Sequence, residues 1–227
     1  MTPNELLERI IYRDAMMLVL NKPAGVAVHP GAGKKQNLQD FFEHLKFGLP
    51  NPPALAHRLD AATSGCLVIG RHRQALNRLG DLFANGKIEK TYWAVVKGKP
   101  TENEGRIDIA LAKQSAHSHR WWMKADPAGQ KAITDYRVLG TKDGLTWLEL
   151  KPVTGRTHQL RVHCLAMGWP IVGDMIYGEP LLGFDALQLH ARAITIPLYP
   201  KRDPIQVEAE PPFHMLKTLK DFGFQFS

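Results

Sequence analysis

Cysteine is scarce in this sequence. Cys66 and Cys164 are the only two, and neither has a second cysteine at C-x-x-C spacing, which argues against a zinc site built on thiolates. Both stand in apolar settings and are expected to be buried small hydrophobes, a usage that suits a reducing cytoplasm. Long hydrophobic runs are missing too. The longest early one spans residues 15–20, and Glu5, Glu8 and Arg9 charge the N-terminal stretch, so neither a signal core nor a membrane span is expected. No Walker A loop, dinucleotide fingerprint or H-E-x-x-H pattern occurs. His158 and His163 are five apart, a poor spacing for one helix face, so no metal site is expected. Acidic residues are in deficit: 22 Asp and Glu stand against 29 Lys and Arg, a net +7. Such a balance favours anionic partners, nucleic acid first among them, or else reflects a solvated basic surface.

What is present describes a folded protein. The 227 residues fit one domain, or one domain in two lobes, and the 44% apolar content is ordinary. Thr2-Pro3-Asn4-Glu5 has the form of a capping box opening a short helix. Leu38, Phe41, Phe42 and Leu45 share one helical face, and Leu76, Leu79, Leu82 and Phe83 another that ends at Asn85-Gly86. Strands are expected at residues 10–12, 16–20, 26–28, 66–69, 88–96, 132–139, 145–150 and 187–196, and a helix at 157–167. Residues 112–130 form the least regular stretch. Several strands follow one another without an intervening helix, which argues for an α+β fold with a mixed, largely antiparallel sheet.

Two dense polar segments stand about a hundred residues apart. The first runs from His57 to Gly65 and carries Asp60 on a turn entering a strand. Asp60 there is either a site residue on a rigid scaffold or a turn residue bonded to its own backbone. The second, residues 154–163, carries Arg156, His158, Arg161 and His163. Arg161 lies beside the inward seam of the expected helix, where it needs a carboxylate partner, and Asp60 is a candidate. The alternative is an ordinary structural ion pair. Tyr92 lies in a basic strand and either stacks on a base or fills a core. Arg71, Arg73 and Arg78, with Lys113, His117, His119, Arg120 and Lys124, are candidate phosphate contacts. Trp121 and Trp122 either clamp a ligand or form a small satellite core.

These segments together resemble the RluA-type family of pseudouridine synthases. The matching motifs are His57-Arg58-Leu59-Asp60-x-x-Thr63-Ser64-Gly65, Asn21-Lys22-Pro23-Ala24-Gly25 with His29-Pro30-Gly31, Lys90-Thr91-Tyr92-x-Ala94-x-Val96-x-Gly98 and Thr154 to His163. Gly173-Asp174-x-x-Tyr177-Gly178 and Leu189-His190-Ala191 follow in order. The likeness covers about residues 10–212 and several independent motifs. Pro197 departs from the family's usual His-Pro, and no S4-type RNA-binding domain is expected before residue 10.

The resemblance implies a single catalytic domain with a central mixed sheet and a cleft between two lobes. It implies an isomerase that flips a uridine out of structured rRNA or tRNA and converts it to pseudouridine. Asp60 would be the catalytic carboxylate, Arg161 its partner, and Tyr92 the ring against the uracil. Arg58 would contact RNA near the flipped nucleotide, with Lys22, His29, Arg71, Arg73, Arg156 and His158 as further RNA contacts. Leu160 and Val162 would help wall the pocket. No redox change or water is involved, so no cofactor and no metal are implied, and a monomer suffices. A non-catalytic RNA-binding protein or chaperone, and a base-releasing N-glycosidase, are the competing readings.

Overall fold

The computed structural model describes residues 1–30, 36–115 and 121–225. The basic segment 31–35 and the expected phosphate contacts His117, His119 and Arg120 lie outside the described residues. The chain divides into two compact units, Met1–Lys90 with Ala191–Pro212, and Thr91–His190 with Phe213–Ser227.

The first unit opens with helix α1, Pro3–Leu7. Its capping box forms as expected: the Glu5 amide donates to the Thr2 hydroxyl at 3.2 Å and the Thr2 amide to the Glu5 carboxylate at 2.8 Å. Strand β1, Ile10–Arg13, pairs antiparallel with β2, Met17–Lys22. Residues 26–28, expected as a strand, are irregular. They follow a Pro-Ala-Gly turn, and the Ala27 carbonyl accepts from the Leu38 amide instead of from a strand. Leu38–Leu45 is helical with the expected four apolar residues buried, but it is a 3₁₀ helix. Strand β3, Ala54–Leu55, and β2 both pair antiparallel with β4, Ser64–Gly70. All seven residues of β4 are buried, the pattern of a strand covered on both faces. Helix α2, Arg73–Ala84, ends at Asn85 as its apolar spacing predicts.

In the second unit β5, Glu89–Lys97, β6, Glu104–Asp108, β9, Ile133–Lys142, and β10, Leu145–Pro152, form an antiparallel sheet in the order β5-β10-β9-β6. Residues 112–130 correct the expectation of irregularity. Their described residues hold most of an antiparallel strand pair, β7, Leu111–Ser115, against β8, Trp121–Ala125. Leu111 and Met123 bury one side of it with Ala132, Val162 and Tyr177, so tertiary cover supplies what the polar local sequence hides. Helix α3, Gln159–Ala166, is shorter than expected and buried continuously from Gln159 to Cys164, where a single inward seam had been expected.

Strand β11, Leu189–Ile196, pairs antiparallel with β12, Ile205–Glu208, and helix α4, Phe213–Asp221, follows. Strands β6 and β12 escape sequence reading because each is short, and β6 buries only Ile107. The fold is α+β with a mixed, largely antiparallel arrangement of strands, as the sequence predicts. No described helix is long and apolar enough to cross a membrane.

Candidate active site

Asp60 sits on the turn that enters β4. Its carbonyl accepts from the Thr63 amide at 3.1 Å, and Thr63 and Ser64 behind it are buried. The turn is anchored from β2. Lys22, opposite Gly65 in the β2–β4 register, is wholly buried, and its ammonium donates to the carbonyls of Pro23, Val26 and Ala61 at 2.7, 2.8 and 3.0 Å. The Gly25 amide donates to the same Ala61 carbonyl at 2.8 Å, and Gly25 has φ +84°. One buried cation thereby ties two turns together beneath Asp60. Burial pulls the Lys22 ammonium down to about 7, and the charge of Asp60 pulls the other way. Three acceptors match the three N–H groups of the charged form. Lys22 was expected among the RNA contacts; its donors are committed to the protein backbone instead.

Gly65 closes the same loop. With φ +105° and a Cβ position 2.2 Å from the Ala191 carbonyl oxygen, no side chain fits there. Arg58 is exposed beside Asp60. His57 is turned into the unit: its Nε2 accepts from the Val68 amide at 2.9 Å and its ring stacks on Phe83 at 4.7 Å. Burial, aided by nearby Lys90, lowers the His57 imidazole to about 4. The folded ring stays neutral while the unfolded chain's imidazole protonates near its ordinary 6.5. The unfolded state therefore binds the extra proton, and stability falls as pH drops from about 6.5 towards 4, by roughly 3 kcal/mol over the whole window. Urea melts across that window are expected to show a flatter profile for His57→Gln than for the wild type. Equal slopes would remove His57 as the origin.

The remaining candidates of this unit are distributed. His29 is half-buried, with Nδ1 buried and lacking a partner among the described residues. Arg71 spends its guanidinium on the carbonyls of Asp14, Lys46 and Phe47, which makes it a strut. Arg73 is exposed on the first turn of α2.

In the second unit Tyr92 lies on β5 opposite Leu150 of β10 and is half-buried. Arg161, 5% exposed, forms a two-pronged pair with buried Asp174: Nε to Oδ2 and Nη2 to Oδ1, each 2.7 Å. Asp174 Oδ1 also accepts from the amides of Ile176 and Tyr177 at 2.9 and 3.0 Å. Burial pushes the Asp174 carboxyl up, but the guanidinium and the two amides outweigh it and hold the group below its ordinary value. Tyr177 lies 5.1 Å under the Arg161 guanidinium carbon. Its hydroxyl accepts from the Met123 amide and bonds His158 Nδ1, both at 2.8 Å. His158 has φ +53° and directly precedes α3. Gln159 fixes that entry, accepting from the Thr154 hydroxyl and the Arg156 amide and donating to Ile133 and Thr134.

Arg156 is exposed, with Nε on the Lys131 carbonyl. Leu160 is 7% exposed, and Val162 packs into the cluster with Leu111, Met123 and Tyr177. Asp174 and Tyr177 are the residues that sequence reasoning left without a role. Their signal was the Gly173-Asp174-x-x-Tyr177-Gly178 motif, which says nothing by itself of a partner on α3.

Residues 16–166 match the family model described as RNA pseudouridylate synthase. The chain belongs to the RluA-type pseudouridine synthases. An uncharacterized RNA pseudouridine synthase of Zymomonas mobilis is 38% identical over 96% of this chain and 99% of its own. Ribosomal large subunit pseudouridine synthase C of Buchnera aphidicola is 34% identical over 92% of this chain and 69% of its own. The solved structure of human RNA Pseudouridylate Synthase Domain Containing 1 superimposes with a TM-score of 0.76 at 30% identity, covering 94% of this chain and 86% of that one. Human RNA Pseudouridylate Synthase Domain Containing 4, at 24% identity and a TM-score of 0.82, shares the fold over 99% of this chain and 96% of its own. The synthase is thus an isomerase that converts uridine to pseudouridine in RNA.

Proposed function

We propose that Asp60 is the carboxylate that drives this isomerisation, that Arg161 is its cationic partner, and that Tyr92 packs on the target uracil. The observation that carries this reading is the Asp60 turn itself. It is braced from below by the buried Lys22 ammonium and held by backbone bonds, inside a segment that matches the family model. In the reaction the bond from C1′ to N1 breaks, the uracil turns in place, C5 bonds to C1′ and gives up its proton to solvent, and N1 takes up a proton in its place. An ionised Asp60 serves as nucleophile at C1′ or as base at C2′; both routes need the same charge at the same place. One carboxylate suffices because uracil is a delocalised leaving group that stays bound, whereas a glycosidase needs a second to handle water. Tyr92 and Leu160 keep water from the sugar.

The substrate we propose is structured RNA, with large-subunit rRNA the first candidate because relatives named for that RNA match most of the chain. tRNA is the second candidate. Flipping a uridine out costs a few kcal/mol and least in a loop; the exposed cations Arg58, Arg73 and Arg156 are the residues to which we assign RNA contacts. A monomer suffices for this chemistry. A cytoplasmic setting accords with the two free, buried cysteines. Incubation with C5-tritiated uridine rRNA and tRNA is expected to release tritium from one of them. Absence of release from both would overturn the substrate assignment, and free uracil in the mixture would replace isomerisation by base removal.

A further inference from the structure

Asp14 gathers a second set of cationic and aromatic side chains, all within the first unit. Its carboxylate accepts the hydroxyls of Tyr12 and Tyr199 at 3.0 and 2.8 Å and the amides of Met16 and Met17 at 2.8 Å each. Burial raises the Asp14 carboxyl, but these four donors overcome it, so the negative charge is satisfied inside the cluster. Arg13, exposed at the end of β1, lies 4.4 Å over the ring of Phe47, which is itself 37% exposed. Arg202, also exposed, lies 5.1 Å over the ring of Tyr199. Arg71 braces both parts, donating to the carbonyls of Asp14 at 2.6 Å and Phe47 at 3.3 Å. Burial and the bond to Asp14 raise the Tyr199 phenol, and Arg202 and Arg78 pull against that rise.

The location separates this cluster from the catalytic turn. Asp60 precedes the first residue of β4, while Arg71 follows its last. A strand of that length puts its ends ~20 Å apart. The charge on the surface is one-sided. Glu43 is paired with Lys46, and the turn from Tyr199 to Asp203 sets Lys201 and Arg202 against a single carboxylate.

We propose that this surface, with Arg13 on Phe47 and Arg202 on Tyr199, is a second RNA-contact site, holding phosphates and an unstacked base of the substrate beyond the loop that carries the target uridine. A guanidinium stacked on a ring is weakly hydrated and keeps its planar fork free for phosphate, and a half-exposed ring beside it offers a face to a base. The proposal rests on the RNA substrate reading above and deepens it: the synthase recognises RNA well outside the reactive nucleotide.

Two RNAs test it: the transcript that releases tritium, extended by a full helix on each side of the target, and the isolated stem-loop around the target. Affinity is measured by filter binding across a salt series for wild type, R13E/R202E and, should charge reversal impair folding, R13Q/R202Q. On the extended transcript the variant is expected to bind about tenfold more weakly, with a log–log salt slope shallower by about 2. On the stem-loop, affinity and slope are expected to match the wild type. Unchanged affinity and slope on the extended transcript would overturn the proposal and leave the surface to a protein partner. An equal loss on the stem-loop would also overturn it, by merging the surface with the target site. Wild-type tritium release decides the substrate assignment independently of either outcome.

Discussion

Asp60→Asn is expected to lower the rate of tritium release by at least about a thousandfold while changing RNA affinity by less than about threefold, the scale of effect seen when an essential nucleophile or base is removed. The substitution keeps shape, removes the charge and turns one acceptor oxygen into an NH2 donor. The turn should survive it, because the bonds that hold that turn run through the Asp60, Ala61 and Thr63 backbone and the Lys22 ammonium. A thermal melt within a few degrees of wild type checks this. On the proposed reading, binding rests on exposed cations such as Arg58, which the substitution leaves in place. If the variant retains full turnover, Asp60 is not the reacting carboxylate. If it loses RNA binding in proportion to activity, the residue acts in recognition. A non-catalytic RNA-binding protein, by contrast, would release no tritium in either form.

Asp174→Ala is expected to reduce the free energy of unfolding by about 3–5 kcal/mol, the cost of stripping one partner from a buried ion pair. Three effects add at this position. The Arg161 guanidinium loses two short bonds, and the amides of Ile176 and Tyr177 lose their common acceptor. The turn that places Tyr177 under Arg161 and against His158 and Met123 then loses its anchor. Asp174→Asn should fall between wild type and Ala, since an amide oxygen still accepts from both backbone groups but carries no charge. Urea denaturation provides the measure, and a loss below about 1 kcal/mol would mean that the pair is not what holds α3 in register. Turnover should fall more than stability predicts, because Arg161 is the proposed partner of Asp60.

How far the sequence reached can be judged at particular residues. The capping box at Thr2, the apolar faces of 38–45 and 73–84, and the long strands at 89–97 and 145–152 were legible, because each carries its signal within one or two turns of chain. The turn that carries Asp60 into β4 was legible for a related reason: its turn-formers and the apolar run after it are consecutive residues. Lys22 was misplaced because a lysine beside Pro-Ala-Gly has the look of a surface cation. Only the fold shows that three carbonyls from two separate turns converge on it. The pairing of β7 with β8 was missed because its support comes from Ala132, Val162 and Tyr177, residues distant along the chain.

By itself the sequence determined the class of fold and the family, and it singled out Asp60 as the carboxylate we propose for the reaction, since local periodicity and closely spaced motifs need no long-range information. The tertiary structure alone decided which partners the buried and half-buried charges have. Asp174 meets Arg161 across 13 residues, Lys22 meets Ala61 across 39, and Asp14 meets Tyr199 across 185. A charge taken out of water must find its counterpart wherever the packed chain brings one, and that meeting is a property of the fold as a whole.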